Sequence, residues 1–247
     1  MAARRLLVRR RHKEITYYLV DPGQDFHTHL GIIAKKELAK KAGSIVKTTQ
    51  GEEFLILDAS FIDLLQRIKR PAQIMSLKEI GHIIATTGIS KASVIVDAGT
   101  GSGMLACVLA HLCKKVVTYD TSEEHLALAK KNAAFLGIKN ITFKKGDISQ
   151  KINEKNADLF VLDVPEPWRA VDTAAKALKV GGFLVGYTLQ ATQLQKLGNA
   201  LRKDKRFLLL KSCELIERLW KVDGDIVRPQ NVPIGHTGFL TFARRIQ

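Results

Sequence analysis

The rhythm of apolar and polar positions changes near residue 70. Before it, Leu6–Arg10, Glu14–Val20 and Phe54–Leu57 are short strand-like runs, with Asp21-Pro22-Gly23 and Gln50-Gly51 supplying turn chemistry between them. Ile32–Ala42, with Lys35, Lys36, Glu37, Lys40 and Lys41, reads as one short charged helix or turn. Arg70-Pro71 marks a boundary, because the residue before a proline disfavours helix. Leu77–Thr87 then has helical spacing, with Leu77, Ile80 and Ile84 on one side. From there the pattern alternates: strand Val94–Ala98, helix Gly103–Leu112, strand Val116–Asp120, helix Glu123–Leu136, strands Ile141–Lys144 and Asp158–Asp163, helix Arg169–Leu178, strand Phe183–Tyr187 and helix Thr192–Lys203. Phe207–Ile216 and Gly238–Ala243 close the chain as an antiparallel pair. Apolar strands alternating with helices predict an α/β fold, a Rossmann-like parallel sheet with helices on both faces. The division expected is a small β-rich N-terminal domain over 1–70 and the α/β domain over 71–247.

Composition narrows the class. Across 247 residues, 46% hydrophobic and 26% charged content is that of an ordinary globular protein. No run approaches the roughly eighteen consecutive apolar residues that a membrane span needs, so no membrane association is expected. The N-terminus is basic (Arg4, Arg5, Arg9, Arg10, Arg11, Lys13) but lacks an apolar core and a small-residue cleavage site, so no signal peptide is expected. Cys107 and Cys113 lie in one expected helix, about 9 Å apart by rise, and with Cys213 they form no metal-ligand spacing. Buried thiols in a reducing, cytoplasmic compartment are the expectation. A net charge of +15 points to a polyanionic partner, most simply nucleic acid, and the basic N-terminal run is the candidate for phosphate contact unless it is a solvated tail.

The chemistry concentrates after the first α/β strand, where Val94-Ile95-Val96-Asp97-Ala98 enters Gly99-Thr100-Gly101-Ser102-Gly103. Alternate glycines allow a sharp strand-to-helix turn and close approach of a ligand to exposed amides. A dinucleotide fingerprint would place its third glycine at Met104. The D-x-G-x-G-x-G spacing instead resembles the nucleoside–methionine cradle of S-adenosylmethionine enzymes. Asp120, 21 residues past Gly99, is positioned to accept from ribose hydroxyls. Asp147 is a candidate for the adenine amino group, and Asp97 for orienting the cradle or facing an ammonium. Asp163-Val164-Pro165-Glu166-Pro167 holds a carboxylate on a rigid turn at the next strand end, where it can fix an acceptor base. Tyr187 is either a stacking surface for a flipped base or a packed tyrosine. His27 and His29 alternate on an expected strand without a third ligand, so no metal site is read. Gly235-His236-Thr237-Gly238 is a hairpin near the site or a simple turn.

Together these segments resemble the tRNA adenine-N1 methyltransferase family, known as TrmI in prokaryotes, along nearly the whole chain. The matching stretches are Asp25–Gly31, Gln73-Ile74-Met75, Asp97–Gly103, Asp120, Asp147-Ile148, Asp163–Pro167, Gly186-Tyr187-Thr188 and His236–Arg245, the last two resembling archaeal members. The resemblance implies a class I methyltransferase sheet, S-adenosylmethionine as cofactor, tRNA as substrate, 1-methyladenosine in the T-loop as product, and a homotetramer. It assigns cofactor contacts to Gln73, Asp97, Gly99, Gly101, Ser102, Gly103, Met104, Asp120, His125, Asp147, Ile148 and Asp163, and catalytic roles to Asp163, which would hold the target adenine, and Tyr187. His125 is equally readable as a surface residue. The chain departs from the family at Ser76-Leu77-Lys78-Glu79, where many members have an aromatic residue or His followed by Pro-Lys-Asp or a related run, and at Leu189-Gln190, where Pro-Cys is common. Two alternatives stand beside this reading. A small-molecule methyltransferase acting on a corrinoid precursor shares the cradle, and a partner subunit that only binds RNA would have lost glycines or aspartates that are all present here.

Overall fold

The computed structural model describes residues 4–11, 14–69, 75–231 and 235–247. Arg70-Pro71, Gln73 and Ile74 therefore lie outside the described residues, as does Lys13. The chain forms two compact units, one of residues up to Ile68 with Phe135–Gly137, the other of Lys69–Ala134 and Ile138–Gln247.

The first unit contains β1 (Arg5–Arg11), β2 (Glu14–Val20), β3 (Phe26–Thr28), β4 (Gly31–Ile33), α1 (Lys35–Leu38), β5 (Ile45–Lys47), β6 (Glu53–Asp58) and α2 (Phe61–Leu65). Four strands pair antiparallel in the order β2-β1-β6-β5, and β3 and β4 form a separate hairpin. Leu7, Val20, Ile33, Leu38, Val46, Phe54 and Ile56 bury a common core. The Ile32–Ala42 stretch is not a single helix. Ile32 and Ile33 end β4, and only the four residues of α1 are helical. His29 falls in the turn after β3, so His27 and His29 do not alternate on one strand. The basic run is neither a free tail nor wholly available to phosphate. It is β1, in which Arg5 pairs with Asp58 and donates to the Leu38 and Lys40 carbonyls, while Arg9 holds Glu52 at 2.7 Å. Arg10 and Arg11 remain exposed.

The second unit runs α3 (Leu77–Thr87), β7 (Val94–Ala98), α4 (Met104–Leu112), β8 (Lys115–Asp120), α5 (Glu123–Leu136), β9 (Ile141–Lys145), β10 (Ala157–Leu162), a 3-10 turn (Pro167–Ala170), α6 (Val171–Ala177), β11 (Leu178–Thr188), α7 (Ala191–Lys203), β12 (Phe207–Glu214), β13 (Trp220–Asp223), β14 (Ile226–Pro229) and β15 (Phe239–Arg245). Seven strands form one sheet in the order β12-β15-β11-β10-β7-β8-β9. β11, β10, β7, β8 and β9 are parallel, whereas β15 runs antiparallel between β11 and β12. The order steps outward from β7 in both directions. Right-handed crossovers then put the helices of the two halves on opposite faces. Strand alternation carries this: Val96, Ala98, Val117, Tyr119, Phe160, Leu162 and Leu184 share a core with α6 and α7. Ile95, Asp97, Val116, Thr118, Leu159 and Val161, the intervening positions, are equally buried on the other face.

Several element ends differ from the periodicity by one to five residues, among them β12, which stops at Glu214 rather than Ile216. The expected helix Arg169–Leu178 is a 3-10 turn followed by the shorter α6, because Leu178 already pairs with Ala157 as the first residue of β11. The β13–β14 hairpin was not anticipated, although Asp223-Gly224-Asp225 is a turn signature and Gly224 takes φ +58°. Among the described residues no helix is long and apolar enough to cross a membrane.

Candidate active site

Asp163, Asp97 and Asp120 follow or end the adjacent strands β10, β7 and β8, and Asp147 follows β9, so all four stand along the carboxyl edge of the sheet. That edge is where open α/β sheets bind ligands. The loop from β7 to α4 is held against it tightly. Gly99 adopts φ +94°, and a Cβ there would lie 1.9 Å from the Asp163 carbonyl oxygen. Gly103 caps α4 at φ +78°, and a Cβ there would meet Ala129 at 2.9 Å. The amides of Gly99 and Thr100 donate to the Tyr119 carbonyl, and the Asp163 amide donates to Ala98. Gly101 donates its amide to Asp120 Oδ2 at 3.0 Å, coupling the cradle to the end of β8.

The electrostatics follow from this packing. Asp97 is buried, accepts a hydrogen bond from Thr118 Oγ1 at 2.7 Å, and leaves Oδ1 without a partner among the described residues. Burial above all, then the nearby Asp163 and Asp120 charges, push its carboxyl up to about 7 against the lowering effect of Thr118. Thr100 Oγ1 lies 2.7 Å from Thr118 Oγ1, extending a buried hydroxyl chain under the loop. Asp163 is half-buried, has no hydrogen-bonding partner for its side chain among the described residues, and is also pushed up to about 7 by burial. Ser102 Oγ is buried and has no partner among the described residues. Buried polar atoms are rarely left unpaired. Asp97 Oδ1 and Ser102 Oγ at a glycine cradle therefore fit a ligand carrying positive charge and hydrogen-bonding groups.

The other sequence candidates divide. His125 is exposed, with Nδ1 3.3 Å from Asp120 Oδ2. Asp147 is exposed and accepts from the Ser149 amide at 2.9 Å, which keeps its carboxyl below the usual range, while Ile148 and Met104 are buried beside the edge. Tyr187, at the end of β11, is 5% exposed, and its hydroxyl donates to the Thr237 carbonyl at 2.7 Å. That is the packed form of the two readings. His236 and Thr237 lie in irregular backbone just before β15, outside any turn or hairpin among the described residues. Cys107 and Cys113 are buried and Cys213 half-buried, all free. Among the described residues no cluster of three or more His, Cys, Asp or Glu could hold a metal.

Sequence reasoning missed Thr118 and Glu79. Thr118 carries no local signal. Glu79 has one, the Ser76–Glu79 spacing of a capping box. It is fully buried, accepts from the Ser76 amide at 3.1 Å, and receives the Thr237 hydroxyl at 2.5 Å.

The chain is similar to known methyltransferases. The family model for the tRNA methyltransferase complex GCD14 subunit matches residues 64–225. The chain is 35% identical to tRNA (adenine(57)-N(1)/adenine(58)-N(1))-methyltransferase TrmI of Methanocaldococcus jannaschii, covering 99% of this chain and 95% of that one. It is 33% identical to tRNA (adenine(58)-N(1))-methyltransferase TrmI of Thermus thermophilus over 92% of each. Among solved structures, a SAM-dependent O-methyltransferase of Thermotoga maritima superimposes with a TM-score of 0.86 at 30% identity, over 100% of this chain and 94% of that one.

Proposed function

The chain belongs to the GCD14 family of tRNA methyltransferase subunits, and from that membership we propose that it methylates N1 of adenosine 58 in the T-loop of tRNA, using S-adenosylmethionine. The M. jannaschii relative is named for positions 57 and 58, which supports the adjacent adenosine as a second target. When bound, S-adenosylmethionine supplies an electrophilic methyl group on a sulfonium. Gly101 and Ser102 in the cradle, Asp97 beneath it and Asp120 at its side would hold that cofactor, with Gln73, His125, Asp147 and Ile148 as further contacts.

The observation that carries the reading is Asp163, a half-buried carboxylate whose side chain has no hydrogen-bonding partner among the described residues, packed through its own backbone onto the cradle. Adenine N1 already has a lone pair, so no base is needed to create the nucleophile. Alignment of donor and acceptor supplies most of the rate. Asp163 would accept a hydrogen bond from the exocyclic N6 amino group, orienting the ring and opposing the positive charge that grows on it as the N–C bond forms. The base must leave its stack to reach this edge, at a cost of a few kcal/mol that phosphate contacts on a protein of net charge +15 offset.

The β-rich unit, with exposed Arg10 and Arg11, would contact the tRNA, and the reaction would take place in the cytoplasm. A homotetramer accords with the open edge of β12 and with exposed Leu208, Leu210, Trp220, Val222 and Val227, since unpaired edges and apolar patches favour association.

The test is an unmodified tRNA transcript with S-adenosylmethionine, read by nucleoside mass spectrometry and reverse-transcription stops. The wild type forms 1-methyladenosine at the T-loop, and Asp163→Ala loses at least about a hundredfold in rate while still binding the cofactor. Cofactor binding without methylation of any tRNA would move the assignment to a small-molecule acceptor. A chain that binds no cofactor would be an RNA-binding partner subunit.

A further inference from the structure

Glu79 spends its two oxygens on different parts of the fold. Oε2 accepts from the Ser76 amide at 3.1 Å and from the Ser76 hydroxyl, closing the first turn of α3. Oε1 lies 3.3 Å from Lys78 Nζ and accepts from Thr237 Oγ1, a residue 158 positions later in the chain, at 2.5 Å. The helix cap requires only one of these oxygens. Burying a carboxylate this completely is costly unless its hydrogen bonds are made, and here they are, which holds Glu79 below the usual carboxylate range despite burial.

Thr237 passes the connection on. Its carbonyl accepts from the Tyr187 hydroxyl at 2.7 Å, and the next residue, Gly238, lies so close to the Tyr187 ring that a Cβ there would come within 2.5 Å of it. On its other side the segment is held by His236, whose Nε2 donates to the Leu189 carbonyl at 3.0 Å and whose Nδ1 pairs with Glu214. Tyr187 stands near the end of β11, directly after Gly186, which pairs with Leu162 of β10 just before Asp163, and the Asp163 charge helps to raise the pKa of its hydroxyl.

We propose that Glu79 is a positioning residue for the methyl-acceptor side of the site, acting through Thr237 on Tyr187 and so on the wall beside Asp163. The inference rests on the methyltransferase reading above. It adds a residue that touches neither cofactor nor acceptor.

The experiment compares Thr237→Val, Thr237→Ser, Glu79→Gln and the Thr237→Val/Glu79→Gln double variant in the tRNA assay, with cofactor affinity measured separately by calorimetry. Loss of one charge-assisted hydrogen bond lowers kcat about tenfold in Thr237→Val, with cofactor Kd kept within about twofold. Thr237→Ser restores the hydroxyl and kcat. The double variant loses no more than the worse single one, since Thr237→Val removes the link that Glu79→Gln weakens by taking away the charge and one acceptor oxygen. Wild-type kcat in Thr237→Val overturns the inference, as does an equal loss in Thr237→Ser or a parallel fall in cofactor affinity. If Glu79→Gln fails to fold, the two Thr237 variants still decide, because that hydroxyl lies outside the helix cap. A wild type that binds cofactor but methylates no tRNA overturns the functional reading and this inference with it; an active wild type with an undisturbed Thr237→Val overturns the inference alone.

Discussion

Asp97 and Asp163 are carboxyls that burial pushes up to about 7, above the ordinary carboxylate range. The sign of their effect follows from linkage. Folding favours their protonated forms, so their stabilisation is full below about pH 4 and is lost as pH rises through about 7. A cationic ligand reverses the preference, because it binds the ionised pair. Affinity for S-adenosylmethionine should therefore weaken as pH falls from 7.5 to 5.5, by about tenfold per unit for each coupled proton. Calorimetry across that range checks this, and a flat Kd would show that neither carboxyl faces the bound cation. At this scale the glycines and aspartates were legible because their message is local, a few residues at the end of one strand. The links made by Thr118 to Asp97 and by Thr237 to Glu79 were not. They are hydrogen bonds between residues 21 and 158 positions apart, and nothing in the neighbouring sequence announces them.

The junction of β7 and α4 is the element on which the site depends. Gly99 brings this turn onto the Asp163 backbone, and the atom a Cβ would strike is a carbonyl oxygen that cannot swing aside. Gly99→Ala should destabilise the protein by about 3 kcal/mol, on the order of 10 °C in Tm, and abolish cofactor binding. Gly146→Ala is the control. Its nearest neighbour would be the Tyr119 ring at 3.5 Å, an ordinary contact, and calorimetric melting should move little. Elements with an unbroken period were read to the residue, among them Glu14–Val20, Leu77–Thr87, Val94–Ala98 and Glu123–Leu136. The three-residue strands β3, β4 and β5 were not, since two or three positions cannot establish a period. The start of β11 was hidden differently. Leu178 continues a helical apolar spacing, and only its pairing with Ala157 makes it a strand.

For the molecule as a whole, charge and alternation were enough to indicate an α/β protein with a polyanionic partner, and they left the sheet edge undescribed. β12 ends the sheet with Leu208 and Leu210 exposed, and the β13–β14 hairpin exposes Trp220, Val222, Ile226 and Val227. Light scattering on the purified protein should give a tetramer, and replacing Leu208 and Leu210 with lysine should shift it towards smaller species, as charged edges resist pairing. A monomer in the wild type would remove that assignment. The place of β15 bears on biosynthesis. By Pro229 a ribosome has delivered every other strand of the seven-stranded sheet, yet β11 and β12 have no partner in each other, because β15 belongs between them. The nascent chain must keep two apolar edges apart and unzipped until that strand emerges, so exposure to chaperones and the chance of mispairing are greatest just before the Thr237 link to Tyr187 can close.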